Sequence, residues 1–388
     1  MGGPGLRRRR PGSGPSGGTG LAPAGPAVRA SGGPGRGRRA AVSGRAGRWR
    51  VAVDVMGGDR APEAPVAGGL EAMRRWPVEI LWVGPEAQVA AELRRQVRGS
   101  RVPGRIVPAS QVIEPGDPPV AALRRKPDSS ITVGIRLVRD GEADAFVSAG
   151  STGALMAAGK LLLGTLPGIA RPALAAVLPT LDGRGFLMLD LGASAEADAE
   201  QLVHYAVMGV VYAREVLGRP APRVALLNIG SEAGKGNRLY REAHERLARS
   251  GLDFAGNVEA RELFAGPADV VVCDGFTGNV ALKAMEGVGE ACWKLLKAEV
   301  ARRPLARLAA GLLRPVLRRV RRQLDYGEYG AALFLGLDGL VFKCHGSSDP
   351  RAIANGIGAA VRACQGRLLH RIGESIGKED GEALGRGR

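Results

Sequence analysis

The chain has 388 residues, 45 % of them hydrophobic and only 4 % aromatic, with 55 Lys plus Arg against 38 Asp plus Glu. This is enough chain for one large or two medium domains with a substantial core, which excludes wholesale disorder, and the scarcity of aromatics weighs against an all-β protein. The net charge of +17 is local: residues 1–50 carry 11 Arg and no acid, residues 301–324 carry 8 Arg and no acid, and the remainder stands at −2. The whole-chain charge is therefore no argument for nucleic-acid binding by the body.

In chain order, residues 1–48 come first, with 15 Gly and 6 Pro in the first 47. Such a segment cannot bury enough apolar surface to offset its ordering entropy, and a disordered extension is expected. Arg7–Arg10 resemble the start of a signal peptide, but no apolar stretch follows them. From Trp49 a unit repeats: short apolar strand, Gly/Ser/Asp-rich loop, helical pattern. Strands are expected at 51–55, 78–83, 104–107, 144–148, 173–178, 185–190, 223–228, 269–273 and 339–343. Helices are expected at 62–75, 85–97, 129–139, 153–164, 199–217, 237–249, 279–299 and 350–365. This alternation predicts an α/β fold with a mostly parallel sheet covered on both faces, spanning 49–375, followed by a polar tail over 376–388.

Cys273, Cys292, Cys344 and Cys364 are widely spaced, with no C-x-x-C pair, so neither a zinc framework nor a disulfide scaffold is indicated. No apolar run approaches the length of a membrane-spanning helix.

In open α/β sheets, ligands sit beyond the carboxyl ends of the strands. That rule selects six polar, Gly-rich loops: Asp54–Asp59, Ser148–Gly153, Asp190–Asp198, Asn228–Asn237, Asp274–Asn279 and His345–Asp349. Several run directly into a helix, whose free N–H groups suit an anion. Ordinary turns use the same residues, but six such loops together point to phosphate handling. Gly230–Gly236 mimics a nucleotide P-loop but is one residue short between its glycines and lacks Ser or Thr after Lys235. No G-x-G-x-x-G follows the first strand, and no G-x-S-x-G is present. Asp54, Asp59, Asp190 and Asp274 read better as helix caps and turn pins than as metal ligands, and no metal or cofactor is called for. His204, His244 and His370 fall on helical patterns as surface or satisfied residues, and Cys273 reads as a buried structural thiol.

The wording and order of these loops resemble one family, the PlsX phosphate acyltransferases. The matching stretches are VAVDVMGGDRAPEAPVAGGLEA from Val51, RRKPDSSI from Arg124, DAFVSAGSTGALMAAG from Asp144, RPALAAVLPT from Arg171 and LDLGASAEAD from Leu189. They continue with PRVALLNIGSEAGKGN from Pro222, GNVEARELF from Gly256, ADVVVCDGFTGNVALKAMEG from Ala268 and GLVFKCHGSSDPRAIANGI from Gly339. Two positions depart from the family pattern: Ser151 and Ser194 stand where Asn is usual.

The resemblance implies a three-layer α/β/α sandwich of the isocitrate/isopropylmalate dehydrogenase type, a homodimer, and transfer of an acyl group from acyl-acyl carrier protein to inorganic phosphate. The acyl phosphate would pass to a downstream membrane acyltransferase that acylates glycerol phosphate. Phosphate is itself the nucleophile, so the protein must only hold it in line and stabilise the oxyanion. Lys235 and Asn279 are the expected catalytic residues. Expected phosphate or substrate contacts are Asp54, Gly57, Gly58, Asp59, Ser148, Gly150, Ser151, Thr152, Gly153, Asp190, Gly192, Gly236, Asn237, Asp274, Gly275, Gly278, His345, Gly346, Ser347 and Ser348.

Residues 301–324 place Leu305, Leu308, Leu312, Val316 and Val320 at helical spacing among arginines, broken by Pro304 and Pro315. This is an amphipathic, cationic insertion suited to an anionic bilayer, to the acidic carrier protein, or to a dimer face. Arg124, Arg125 and Lys126 outside the insertion, and Arg314, Arg318 and Arg319 within it, are the expected carrier or membrane contacts, in a cytoplasmic protein held peripherally at the membrane. Two alternatives stay open: a phosphotransacetylase-like enzyme using acyl-CoA, and a membrane- or nucleic-acid-binding protein working through its cationic segments.

Overall fold

The computed structural model describes residue 2 and residues 47–97, 102–323, 327 and 330–385; the extension expected over 1–48 lies outside them except for Gly2, Gly47 and Arg48. The strands are β1 (Trp49–Asp54), β2 (Val78–Gly84), β3 (Arg105–Pro108), β4 (Ala145–Ser148), β5 (Ala173–Leu178), β6 (Phe186–Leu189), β7 (Val224–Asn228), β8 (Phe254–Glu259), β9 (Val270–Val272), β10 (Ala332–Leu335) and β11 (Val341–Lys343). The helices are α1 (Glu63–Arg75), α2 (Glu86–Gln96), α3 (Pro119–Arg125), α4 (Ser130–Arg139), α5 (Thr152–Leu162), α6 (Ala199–Glu215), α7 (Arg238–Ala248), α8 (Gly275–Arg302), α9 (Pro304–Leu312), α10 (Arg314–Gln323), α11 (Pro350–Gln365) and α12 (Leu368–Gly385).

Each predicted strand forms, and two more appear. Gly256 and Asn257 break the apolar pattern of β8, which pairs only with β7 at the end of the sheet. β10 is short and lies between antiparallel partners. Residues 376–385 continue helix α12 instead of forming a tail. Local signals set the helix starts. Ser129, Ser151, Asn237, Asp274 and Asp349 each accept a backbone N–H in the first turn of α4, α5, α7, α8 and α11, and Asp198 and Gln201 form a capping box at α6.

The strands form one sheet in the order β3-β2-β1-β4-β11-β10-β5-β6-β9-β7-β8. Alternate residues bury on opposite faces. Val51, Val53 and Trp82 join the core beneath α1, α6, α11 and α12, whereas Ala52, Leu81 and Val83 join the core beneath α3, α4, α5 and the start of α8. Each such side chain taken fully out of water contributes about 1.5–3 kcal/mol, so two cores on one sheet supply most of the favourable term.

The centre of the sheet reverses. β10 is antiparallel to β11 and to β5, and β5 is antiparallel to β6, while the pairings outside this group are parallel. The carboxyl ends of β1, β4 and β11 therefore open on one rim, and those of β6, β7 and β9 on the opposite rim. The six polar loops are thus divided between two rims. Asp54–Asp59, Ser148–Gly153 and His345–Asp349 gather at the first rim; Asp190–Asp198, Asn228–Asn237 and Asp274–Asn279 gather at the second.

Helix α8 leaves the second rim and crosses the sheet face toward the first. Its start is seated by contact too close for a side chain: a Cβ on Gly278 would stand 1.9 Å from the Asp190 carbonyl oxygen, and one on Gly275 would stand 2.2 Å from that of Ser194. Gly278→Ala should cost about 1–3 kcal/mol by overpacking, read as a lower denaturant midpoint with an unchanged m-value.

Candidate functional site

At the first rim, the Asp54 carboxylate is buried and accepts the Ser148 hydroxyl at 2.6 Å and the Met56 N–H at 3.0 Å. Burial pushes its carboxyl above the ordinary range, opposed by these donors. Gly150 N–H donates to the Ser148 hydroxyl at 2.9 Å. The Asp59 N–H donates to the Gly346 carbonyl at 2.8 Å, tying the loop after β1 to the loop after β11. Gly57 and Gly58 fill the seam, where a Cβ would meet Gly150 N at 2.7 Å and Gly346 O at 2.9 Å respectively.

At the second rim, Asp190 does the equivalent work. Its fully buried carboxylate accepts four N–H groups: Leu174 at 2.9 Å, Gly192 at 3.0 Å, Ala193 at 2.8 Å and Ser194 at 2.8 Å. Burial raises its carboxyl pKa against those four donors. Asp274 sits beside Tyr240, whose hydroxyl donates at 2.5 Å, and receives Thr277 through its hydroxyl at 2.7 Å and its N–H at 2.9 Å. Burial acts to raise Asp274, but the Tyr240 and Thr277 donors prevail and hold it below the ordinary range.

These bonds make Asp54, Asp190 and Asp274 the turn pins and helix cap that their positions suggested. Each carboxylate faces inward and organises its loop, and none lines the cavity described next; a second anion beside them would also be repelled. The N–H of Gly192, an expected phosphate contact, is engaged by Asp190, as are those of Ala193 and Ser194. Gly236, Asn237, Gly275 and Gly278 also serve the scaffold, Asn237 through its bond from the Tyr240 N–H at 3.2 Å. Ser151 caps α5, and the Ser194 hydroxyl accepts from Arg171 at 3.2 Å. Among the described residues no group of three or more His, Cys, Asp or Glu side chains is placed to hold a metal ion.

A cavity of about 600 Å³ lies on the sheet face between α5 and α8. Its floor is β5, through Leu174, Ala176 and Leu178, and Met156, Leu191 and Leu282 extend the apolar wall. Asn279 stands at the second-rim end with Gly192 and Ala193; Lys343, His345, Ser348, Thr152 and Gly153 stand at the first-rim end. Asn279, Lys283 and Glu286 follow one face of α8, so a polar strip about 10 Å long joins the two ends. The mouth is edged by Pro119 and Val120 of α3. The trough is apolar below and polar along one side, the form required by a ligand with a hydrocarbon chain and a charged reacting end.

At the first-rim end, His345 Nδ1 accepts the Ser347 N–H at 3.2 Å and pairs with the Ser347 hydroxyl at 2.8 Å. The proton of the neutral ring is thus left to Nε2. Burial, together with Lys343 and Lys283, lowers the His345 pKa against the pull of Glu286. Lys235 is not among the lining residues: it is half exposed at the second rim, with Glu232 at 3.8 Å. The structure therefore brings Asn279 and His345 to one trough but does not group Lys235 with His345. Lys343, Lys283 and Met156 were missed by the sequence reading. A lysine closing the apolar run Leu340–Phe342 was the available signal for Lys343.

His204 corrects an expectation. Instead of lying at the surface it is buried in α6, with Nδ1 lacking a hydrogen-bond partner, because α6 is enclosed on nearly every side. Cys273 is a buried thiol, its pKa raised by burial and by Asp190 and Asp274.

A sequence profile of the family described as "Fatty acid synthesis protein" matches residues 49–371. The chain is 48 % identical over 331 residues to the phosphate acyltransferase of Bacillus pumilus, covering 85 % of this chain and 98 % of that protein. It is 45 % identical over 328 residues to that of Shouchella clausii, covering 84 % and 98 %. Among solved structures, a phosphotransacetylase from Streptococcus pyogenes aligns with a TM-score of 0.56 at 16 % identity, over 82 % of this chain and 94 % of that one. At that identity the likeness extends to the α/β fold alone.

Asp190→Asn would keep the shape but leave four N–H groups with a single amide oxygen. A loss of about 1–3 kcal/mol in unfolding free energy is expected, and a substitution neutral to stability would remove Asp190 as the organiser of this rim.

Proposed function

The chain belongs to the fatty acid synthesis protein family, the PlsX phosphate acyltransferases, and on that premise we propose that its acyl donor is acyl-acyl carrier protein. It is an acyltransferase that transfers an acyl group to phosphate for phospholipid synthesis. The observation that carries the finer reading is the trough: an apolar floor for the acyl chain, with a polar strip along α8 and the His345–Ser348 loop at one end.

In this reading the chain of the thioester lies over Leu174, Ala176 and Met156, and the carrier's flexible arm enters past Pro119 and Val120. Phosphate binds at the His345–Ser348 end, where the His345 Nε2–H, Ser348 and the Thr152–Gly153 start of α5 offer donors. One phosphate oxygen attacks the carbonyl carbon, the carbonyl becomes a tetrahedral oxyanion, and the C–S bond then breaks. The thiolate leaves with the proton that phosphate brought, and acyl phosphate remains. A thiol of pKa about 8.5 needs little acid assistance, so holding phosphate and stabilising the oxyanion are the two tasks. Asn279 is placed for the second task by its amide. Lys235 contributes from the same rim, where its loose pairing with Glu232 leaves the amine able to approach the developing charge.

Arg124 and Arg125 are exposed on α3 beside the mouth and suit the acidic carrier protein. Lys126 does not join them, because its amine is held by the Asp117 carboxylate at 2.6 Å and the Val112 carbonyl at 2.8 Å. Beyond its first turns, α8 exposes Val288, Leu295 and Leu296, which supports a homodimer built on this helix. Helices α9 and α10 expose Leu305, Leu308, Leu312, Val316 and Val320 among arginines that include Arg314, Arg318 and Arg319. That composition supports peripheral attachment to an anionic membrane from the cytoplasm, where a membrane acyltransferase would take the product; no nucleic acid is involved. No helix among the described residues is long and apolar enough to cross a membrane. The reversal at the centre of the sheet supports the isocitrate/isopropylmalate dehydrogenase type of sandwich.

Long-chain acyl-acyl carrier protein and phosphate should give acyl phosphate, trapped as hydroxamate by hydroxylamine, with acyl-CoA much the poorer donor. Lys235→Ala and Asn279→Ala should each lower kcat/KM by about 100-fold, the scale of one lost oxyanion donor. Equal rates from acyl-CoA would replace the carrier with the coenzyme. In liposome flotation, binding should rise with anionic lipid and disappear when Arg314, Arg318, Arg319 and Arg322 are replaced by Gln; indifference to either change would detach this insertion from the membrane.

A further inference from the structure

We propose that Lys343 is the cation that binds the nucleophilic phosphate, closing the first-rim end of the trough opposite Lys283. The assignment rests on the acyltransferase reading above and identifies a residue for its nucleophile.

Lys343 ends β11, the strand paired with β4 and β10 at the middle of the sheet. A lysine at that point is costly, because an ammonium withdrawn from water needs a partner. Among the described residues it makes no ion pair. Its amine donates to the neighbouring Cys344 carbonyl, and its side chain lines the cavity beside His345, Ser348 and Lys283. The residue retains intermediate exposure because the trough is open.

The surroundings fit an anion that carries more than one charge. Lys283 of α8 faces the same space and is balanced by Glu286 at 2.8 Å. His345 lines the same end, its Nδ1 accepting the Ser347 N–H, and burial lowers its pKa. Asp59 and Asp54 on the β1 side favour the charged amine from behind, while burial and Lys283 disfavour it. Burial is the largest of these influences and lowers the Lys343 pKa. A phosphate dianion between the two lysines would favour the ammonium form of Lys343 and supply the counter-charge that the scaffold does not. Asn279 lies one helical turn from Lys283, about 6 Å along the axis, so a phosphate held by the lysines and a carbonyl beside Asn279 would share one wall of the trough.

Lys343→Gln retains a donor for the Cys344 carbonyl and removes the charge; Lys343→Met removes both. Steady-state rates at varied phosphate should show KM for phosphate raised at least about tenfold in Lys343→Gln, the loss of one charge-assisted hydrogen bond. KM for the acyl donor should change less than about threefold, and Lys294→Met, which deletes an exposed lysine farther along α8, should change neither. An unaltered KM for phosphate in a folded Lys343→Gln enzyme would overturn the proposal. Inorganic phosphate alone should also raise the melting temperature of the wild type and not that of Lys343→Gln. If the wild type makes no acyl phosphate from any thioester, the reading of its donor fails while this phosphate shift still tests the site. If the shift is equal in both proteins, the site fails whatever the donor. Phosphate affinity in the wild type should fall with rising pH below the ordinary lysine range, with no such fall in Lys343→Gln; a parallel fall in both would assign the titration elsewhere.

Discussion

Everything at the trough depends on how the first turn of α8 sits on the loop after β6. Asp190 draws four backbone N–H groups onto one buried carboxylate, giving that loop a single shape, and α8 approaches it at Gly275 and Gly278 more closely than any side chain permits. The cost of burying a carboxylate is offset only when its donors are all present, so the loop is ordered as a unit. From this seat α8 crosses the sheet face, and Asn279, Lys283 and Glu286 follow in register along the trough. Neither the amide of Asn279 nor the amine of Lys283 would have a defined place in the trough without that contact.

The second constraint is the reversal through β5 and β10. In a uniformly parallel sheet, the polar loops would crowd one rim and the trough would have one polar end. Here β5 runs between two rims, each organised by an inward-facing aspartate: Asp54 at one, Asp190 at the other. The hydrogen-bond donors that look available for phosphate in a Gly-rich loop are largely engaged by those aspartates. The lysines that line the cavity between the rims include Lys343 and Lys283, on a strand end and a helix face. A low-dielectric floor of Leu174, Ala176 and Leu178 makes those charges count for more than they would in water.

The long exposed stretch from α8 to α10 has a different character. It contributes little to either core and carries its apolar residues outward, with arginine as the dominant charge. Val288, Leu295, Leu305, Leu308, Leu312, Val316 and Val320 are all exposed along it.

Much of this was legible in the residues. Alternating apolar runs and Gly-rich loops marked nine strands and the α/β class, because period and turn chemistry act locally. Asn279, His345 and Ser348, singled out from their polar loops, line the cavity. Lys343 was hidden in a strand, where a terminal lysine looks like any residue reaching solvent; only the fold shows that it opens into a cavity. Lys235, prominent in its Gly-Lys-Gly setting, belongs to the other rim from His345. His204 looked like a surface residue and is enclosed. The sequence by itself determined nine of the strands, most of the helices that follow them, and the family, since these depend on neighbours a few residues apart. Strand direction, the division into two rims, and the pairing of Lys343 with Lys283 were decided only by the tertiary structure, because they depend on contacts between segments tens to hundreds of residues apart.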